Sequence, residues 1–221
     1  MEYLVIGAGG TGGCIGAYMT EAGKDVTMIA RGAHLEAMQA GGLRMETTKK
    51  GNYTVRPVKA FDMGHYTGHP DVIFVCVKGY SLEETVPFIE KVAKQETVVI
   101  PLLNIYGTGG RLQKRLPGLL VTDGCIYIAG EIKEPGCLWQ NGDIFRVVFG
   151  VREPSEHREV LEVIKKIWRT AGLRCFCPTI SAGMRCRSFP MYHRQLPADS
   201  ITTPWQEPCK NQERSGIRSR R

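Results

Sequence analysis

The chain has 221 residues, 43% of them hydrophobic, which is enough to bury a sizeable core as one large domain or as one domain plus a fragment. No apolar run approaches a membrane span, and the first residues lack the basic region and cleavage site of a signal peptide; the expectation is a cytoplasmic protein with no membrane partner. The net charge of +7 does not argue for a nucleic-acid partner, because residues 181–221 hold +5 of it and leave +2 for the first 180.

Residues 1–31 organise the rest. Residues 3–6 read as a short buried strand, residues 7–12 form a G-x-G-x-x-G, residues 11–22 continue as a helix broken by Gly23, and residues 26–30 are a second strand. Alone, such a glycine cluster is a common tight connection. Here it follows a strand, opens a helix and precedes another strand, the context of a dinucleotide site. Gly7 would turn the chain sharply, Gly9 would let a diphosphate approach the backbone, and Gly12 would bring helix and sheet together; Ala8, Gly10 and Thr11 complete the loop. The unpaired amides at the helix start supply a site for the diphosphate. At the end of the second strand Arg31 stands where NAD-specific sites place an acid, and no acid follows before Glu36. Arg31 therefore reads as the partner of a 2'-phosphate, which selects NADP; the alternative is a solvated arginine at a strand end.

Residues 33–40 form a short helix ended by Gly41-Gly42, and residues 43–47 and 53–60 read as a hairpin decorating the sheet. Residues 71–78 lack polar alternation, as expected of a central parallel strand, and end in Lys78. Ser81 and Glu84 then have the spacing of a capping box for a helix running to about residue 93. The strand over 97–103 ends in Asn104, so Lys78 and Asn104 close neighbouring strands on the same edge as the glycine loop, where open α/β sheets bind ligands.

Residues 107–115 read as a short helix. Residues 119–122, 125–132 and 144–149 are strands, the last two joined across Pro135-Gly136 and Asn141-Gly142 as hairpins. Pro154 starts a helix with an apolar stripe of Val160, Leu161, Val163, Ile164, Ile167 and Trp168, and residues 173–177 form a closing edge strand. The fold expected over residues 1–180 is thus α/β, a Rossmann-like, mostly parallel sheet with flanking helices and an antiparallel extension. From residue 181 the scattered prolines and arginines lack any period, which reads as an irregular, disordered tail. The eight cysteines show neither metal-ligand spacing nor a histidine pair, and read as reduced structural thiols with no metal.

With those residues in view, positions 1–180 resemble the NADP-binding half of the ketopantoate reductase (2-dehydropantoate 2-reductase) family. The resemblance is carried by Gly7 to Gly12, Ile29-Ala30-Arg31, Val75-Cys76-Val77-Lys78 with Gly79-Tyr80, and Leu102-Leu103-Asn104 with Gly107. Ile126-Tyr127-Ile128-Ala129, followed by Pro135-Gly136 and Asn141-Gly142-Asp143, is similar to the family's hairpin region. It implies NADPH-dependent reduction of 2-dehydropantoate or a related small 2-keto acid in pantothenate synthesis. It further implies that Gly7, Ala8, Gly9, Gly10, Thr11 and Gly12 hold the diphosphate and Arg31 the 2'-phosphate. Lys78, Asn104 and Ala129 would then flank the nicotinamide, Asn104 also meeting substrate; a homodimer is an open assembly.

The family's helical second half supplies a general-acid lysine soon after the closing strand. This chain has no lysine between Lys166 and Lys210, so the catalytic residue is unassigned. The expectation is an intact cofactor domain over 1–180, with 181–221 standing in place of the substrate domain through a frameshift near residue 181, and impaired catalysis. The alternative is a non-catalytic NADP-binding sensor or interaction module.

Overall fold

The computed structural model of the chain describes residues 1–170 and 174–176. The first elements are β1 (Glu2–Ile6), α1 (Gly10–Glu21), β2 (Asp25–Ile29), α2 (Gly32–Gly41), β3 (Leu43–Thr47), β4 (Gly51–Val55) and β5 (Lys59–Phe61). They are followed by β6 (Val72–Val75), α3 (Val86–Val92), β7 (Val98–Pro101), α4 (Thr108–Arg115) and β8 (Leu120–Val121). The long strands β9 (Asp123–Glu134) and β10 (Cys137–Gly150), then α5 (Glu159–Thr170) and β11 (Arg174–Phe176), complete the described chain.

Six strands form one parallel sheet in the order β5-β2-β1-β6-β7-β8. Alternation along β1 divides the core in two. Tyr3 and Val5 enter one apolar cluster while Leu4 and Ile6 enter the other, and β6 does the same with Val72 and Phe74 against Ile73 and Val75. The first cluster takes Ile15 and Met19 of α1 with Leu161, Ile164 and Trp168 of α5; the second takes Phe88 and Ile89 of α3 with Leu112 of α4. Covering on both faces explains why β6 has no polar residue. The expected stripe of α5 is buried at Leu161, Ile164, Ile167 and Trp168, the Trp168 ring lying 5.2 Å from that of Phe74 and 6.0 Å from that of Phe149.

A second, mixed sheet runs β11-β10-β3-β4, with β9 antiparallel to β10. Four expectations are corrected here. Residues 53–60 are not one strand: β4 pairs with β3 in the second sheet, and β5 joins β2 in the first. Pro57, between them, has no N–H to offer a ladder. The capping box at Ser81 and Glu84 does not form, because Gly79–Ser81 and Glu83–Thr85 are separate 3-10 turns and α3 begins only at Val86, with Pro87 in its first turn. Asn141-Gly142 is not a turn but lies inside β10, at a break in register with β9; Gly142 has φ of +73°, which suits a bulge as well as a hairpin. Pro154 opens a 3-10 turn capped by Glu153 and Glu156, and α5 starts at Glu159.

Cys14, Cys76, Cys125 and Cys137 are free thiols, and burial pushes Cys14 up to about 12 and Cys76 higher still. Among the described residues no cluster of His, Cys, Asp and Glu could hold a metal, and no helix is long and apolar enough to cross a membrane. The expected tail from residue 181, with Cys177, Cys186 and Cys209, lies outside the described residues.

Candidate functional site

The glycine loop leaves β1 at Gly7, whose φ of +95° only glycine adopts easily. The N–H groups of Gly7 and Ala8 both donate to the Ile29 carbonyl, at 3.1 and 2.9 Å, which ties the loop to the end of β2 two residues before Arg31. Gly12 lies against the Gly7 carbonyl, Cys76 and Val5, so close that a Cβ would collide, and α1 can therefore approach the sheet. Gly9 differs. It is the N-cap of α1, a Cβ on it would have nothing within 4 Å, and its N–H has no backbone partner among the described residues.

No side chain caps α1 and its first turn carries no acid, so the helix start presents bare amides and the positive end of its dipole to that open space. Exposed Arg31 is the N-cap of α2, two residues beyond the Ile29 carbonyl that holds the loop. The donor set is cationic and amidic, and the space is one that a side chain at position 9 would fill. These residues fit a dinucleotide diphosphate with a further phosphate near Arg31.

Lys78 lies beyond β6 rather than in it; it is exposed, and its carbonyl accepts the Ser81 N–H at 2.9 Å. Gly7 packs against Cys76 and Val77, which brings Lys78 to the loop's edge of the sheet. Asn104, beyond β7, uses both ends of its amide on one residue of β9: Nδ2 donates to the Ile126 carbonyl at 2.8 Å, and Oδ1 accepts the Ile126 N–H at 3.0 Å. One N–H and one lone pair remain for a ligand. Ala129 is exposed on β9 opposite Asn141, and the next residue, Gly130, abuts Gly10 of α1. The structure thus gathers Gly7 to Gly12, Arg31, Lys78, Asn104 and Ala129 around one edge of the parallel sheet.

Sequence reasoning missed two residues here. Gly130 carries no motif, and only its contact with Gly10 reveals it. His34, on α2, bridges the loop and the second sheet: Nδ1 accepts the Gly136 N–H at 3.0 Å, and Nε2 lies 3.0 Å from the Ala8 carbonyl. An amide can only donate and a carbonyl only accept, so the ring is the neutral tautomer with its proton on Nε2. Burial lowers its pKa, and the Ala8 carbonyl offsets part of that effect.

The sequence profile of the family described as Ketopantoate reductase PanE/ApbA matches residues 3–154, which include every one of these positions. This chain belongs to that family. It is 33% identical over 150 residues to the uncharacterized oxidoreductase YkpB of Bacillus subtilis, covering 68% of this chain and 48% of the relative. It is 29% identical over 196 residues to a 2-dehydropantoate 2-reductase of Mesorhizobium japonicum, covering 79% of this chain and 59% of the relative. The crystal structure of 2-dehydropantoate 2-reductase from Porphyromonas gingivalis superimposes with a TM-score of 0.73 at 33% identity, over 81% of this chain and 64% of that one. The chain spans 48 to 59% of the length of the two relatives compared by sequence.

Proposed function

We propose that the chain binds NADPH at its N-terminal glycine loop and carries the cofactor half of a ketopantoate reductase reaction, the reduction of 2-dehydropantoate to pantoate. The observation that carries the reading is Gly9: an N–H with no partner among the described residues and an open Cα face at an uncapped helix start. Family membership supports the substrate class.

When bound, the reduced nicotinamide supplies the hydride. The amides of Gly9 to Gly12 hold the diphosphate, and Arg31 pairs with the 2'-phosphate and so favours NADPH over NADH. Lys78 places a positive charge on the edge where the substrate carboxylate and the developing alkoxide gather. Asn104 keeps β9 against the end of β7 and offers its remaining N–H to the substrate side, while Ala129 presents only a methyl group, leaving room for a flat ring. On this reading residues 1–180 are the cofactor-binding unit, with 181–221 in the position of the substrate domain.

The test is a titration of the purified chain with NADPH and with NADH, followed by addition of 2-dehydropantoate and measurement of nicotinamide absorbance. Preferential binding of NADPH is expected, with its oxidation on adding the keto acid slowed by the lack of an assigned general acid. A folded chain that binds neither nucleotide overturns the cofactor reading, and binding without oxidation overturns the reductase reading for this chain.

A further inference from the structure

We propose that His34 is a positioning residue of the glycine loop, its imidazole clamping the Ala8 carbonyl to the β9–β10 turn and thereby fixing the direction of the Gly9 N–H. The inference rests on the reading of that loop as the diphosphate site. The N–H groups of the Ile6–Gly7 and Gly7–Ala8 peptides are held by the Ile29 carbonyl, but among the described residues the following peptide has no such anchor except His34. In a trans peptide the carbonyl and the next N–H point in opposite directions. Drawing the Ala8 oxygen toward His34 on α2 therefore turns the Gly9 N–H the opposite way, away from α2.

The clamp needs a second anchor, because α2 itself is a helix of only 10 residues. Gly136, at the tip of the β9–β10 hairpin, provides it through its N–H on Nδ1. One neutral ring thus joins three segments distant in sequence, residues 8, 34 and 136. Protonation would place a hydrogen on Nδ1 facing the Gly136 N–H, two donors opposed, and would open the clamp. The charged residues on the elements it touches are Arg31 and Glu36 at and in α2, and Asp123, Glu131, Lys133, Glu134, Asp143 and Arg146 of the hairpin, where Lys133 pairs with Glu46 and Glu134 with Arg44. The shift of the ring toward its neutral form comes first from burial.

The test uses the whole chain, with NADP+ as the acid-stable probe. Glutamine can donate and accept across nearly the same span as the ring without titrating, whereas phenylalanine can do neither. At about pH 7.5, His34→Gln is expected to bind NADP+ within about threefold of wild type, and His34→Phe about tenfold more weakly, the loss of roughly one positioned hydrogen bond. From about pH 7.5 to about pH 5.5 wild type should lose more affinity than His34→Gln, the ligand's own titration being common to both. Nitrogen shifts of the labelled ring should report a bare Nδ1 and a protonated Nε2 at neutral pH. If His34→Phe does not fold, the pH comparison and the ring shifts decide. Equal pH dependence in wild type and His34→Gln, unaltered affinity in a folded His34→Phe, or a protonated Nδ1 overturns this inference alone. Absence of NADP+ binding by folded wild type overturns the diphosphate reading, and this inference with it.

Discussion

Gly10 and Gly130 meet backbone to backbone: a Cβ on Gly10 would fall inside the van der Waals shell of the Gly130 carbonyl, and one on Gly130 would lie 2.9 Å from the Gly10 carbonyl. Neither chain segment can retreat easily, since Gly10 opens α1 and Gly130 lies in the β9–β10 ladder. Gly10→Ala should therefore cost about 1–3 kcal/mol or more of stability, read as a lowered midpoint in urea. Gly9→Ala, one residue earlier and facing open space, should leave the midpoint unchanged while weakening NADPH. A Gly9→Ala protein as unstable as Gly10→Ala would contradict the assignment of the open face.

Arg31→Ala should weaken NADPH by about 1.5–3 kcal/mol, the range for a hydrogen bond to a charged group, and leave NADH nearly untouched. Parallel fluorescence titrations with the two nucleotides measure this. Equal losses for both would remove Arg31 from any 2'-phosphate role.

Asn104→Asp keeps the shape of the side chain but replaces the Nδ2 donor, now 2.8 Å from the Ile126 carbonyl, with an acceptor. A loss of about 1–3 kcal/mol is expected at neutral pH, with partial recovery in acid as the carboxyl gains a proton it can donate. Urea melts at two pH values decide the matter; an unchanged midpoint at neutral pH would mean that the Ile126 pairing contributes nothing.

Asp71 joins the starts of two strands, accepting the Glu2 N–H at 2.8 Å on one oxygen and Lys94 Nζ at 2.6 Å on the other. Lys94 chiefly, against the opposing effect of partial burial, holds its carboxyl below the ordinary range. Between the ordinary value, near about 4, and the lower folded one, the unfolded chain binds more protons. The contribution of Asp71 is therefore fully present above that interval and disappears as pH falls through it. Thermal melts from about pH 6 to about pH 3 should show a smaller acid-induced decline for Asp71→Asn than for wild type. Parallel declines would deny Asp71 this role.

What the sequence made legible was whatever is local. The β1–α1–β2 unit, the all-apolar β6 and the strand-end places of Lys78 and Asn104 follow from periodicity and from glycine placed between strand and helix. The failures share a cause, namely that one residue pattern serves two geometries. Asn141-Gly142 supplies the positive φ that a hairpin turn needs and that the bulge in β10 uses instead. A run from Tyr53 to Ala60 looks continuous, yet its halves belong to different sheets because Pro57 interrupts the ladder. His34 and Gly130 were invisible because their partners, Gly136 and Gly10, are remote in sequence and neither contact leaves a periodic trace.

The pairing of β3 with β10 sets Arg44 opposite Cys137, whereas the parallel pairings of β1 with β2 and β6, and of β2 with β5, are complete by residue 75. During synthesis, then, β1, β2, β5 and β6 can assemble as they leave the ribosome, while the β3–β4 hairpin keeps one flank open until the hairpin tip at residue 136 has been made. A nascent chain stalled in that interval carries an unguarded strand edge, ready to pair with a neighbour on the same polysome.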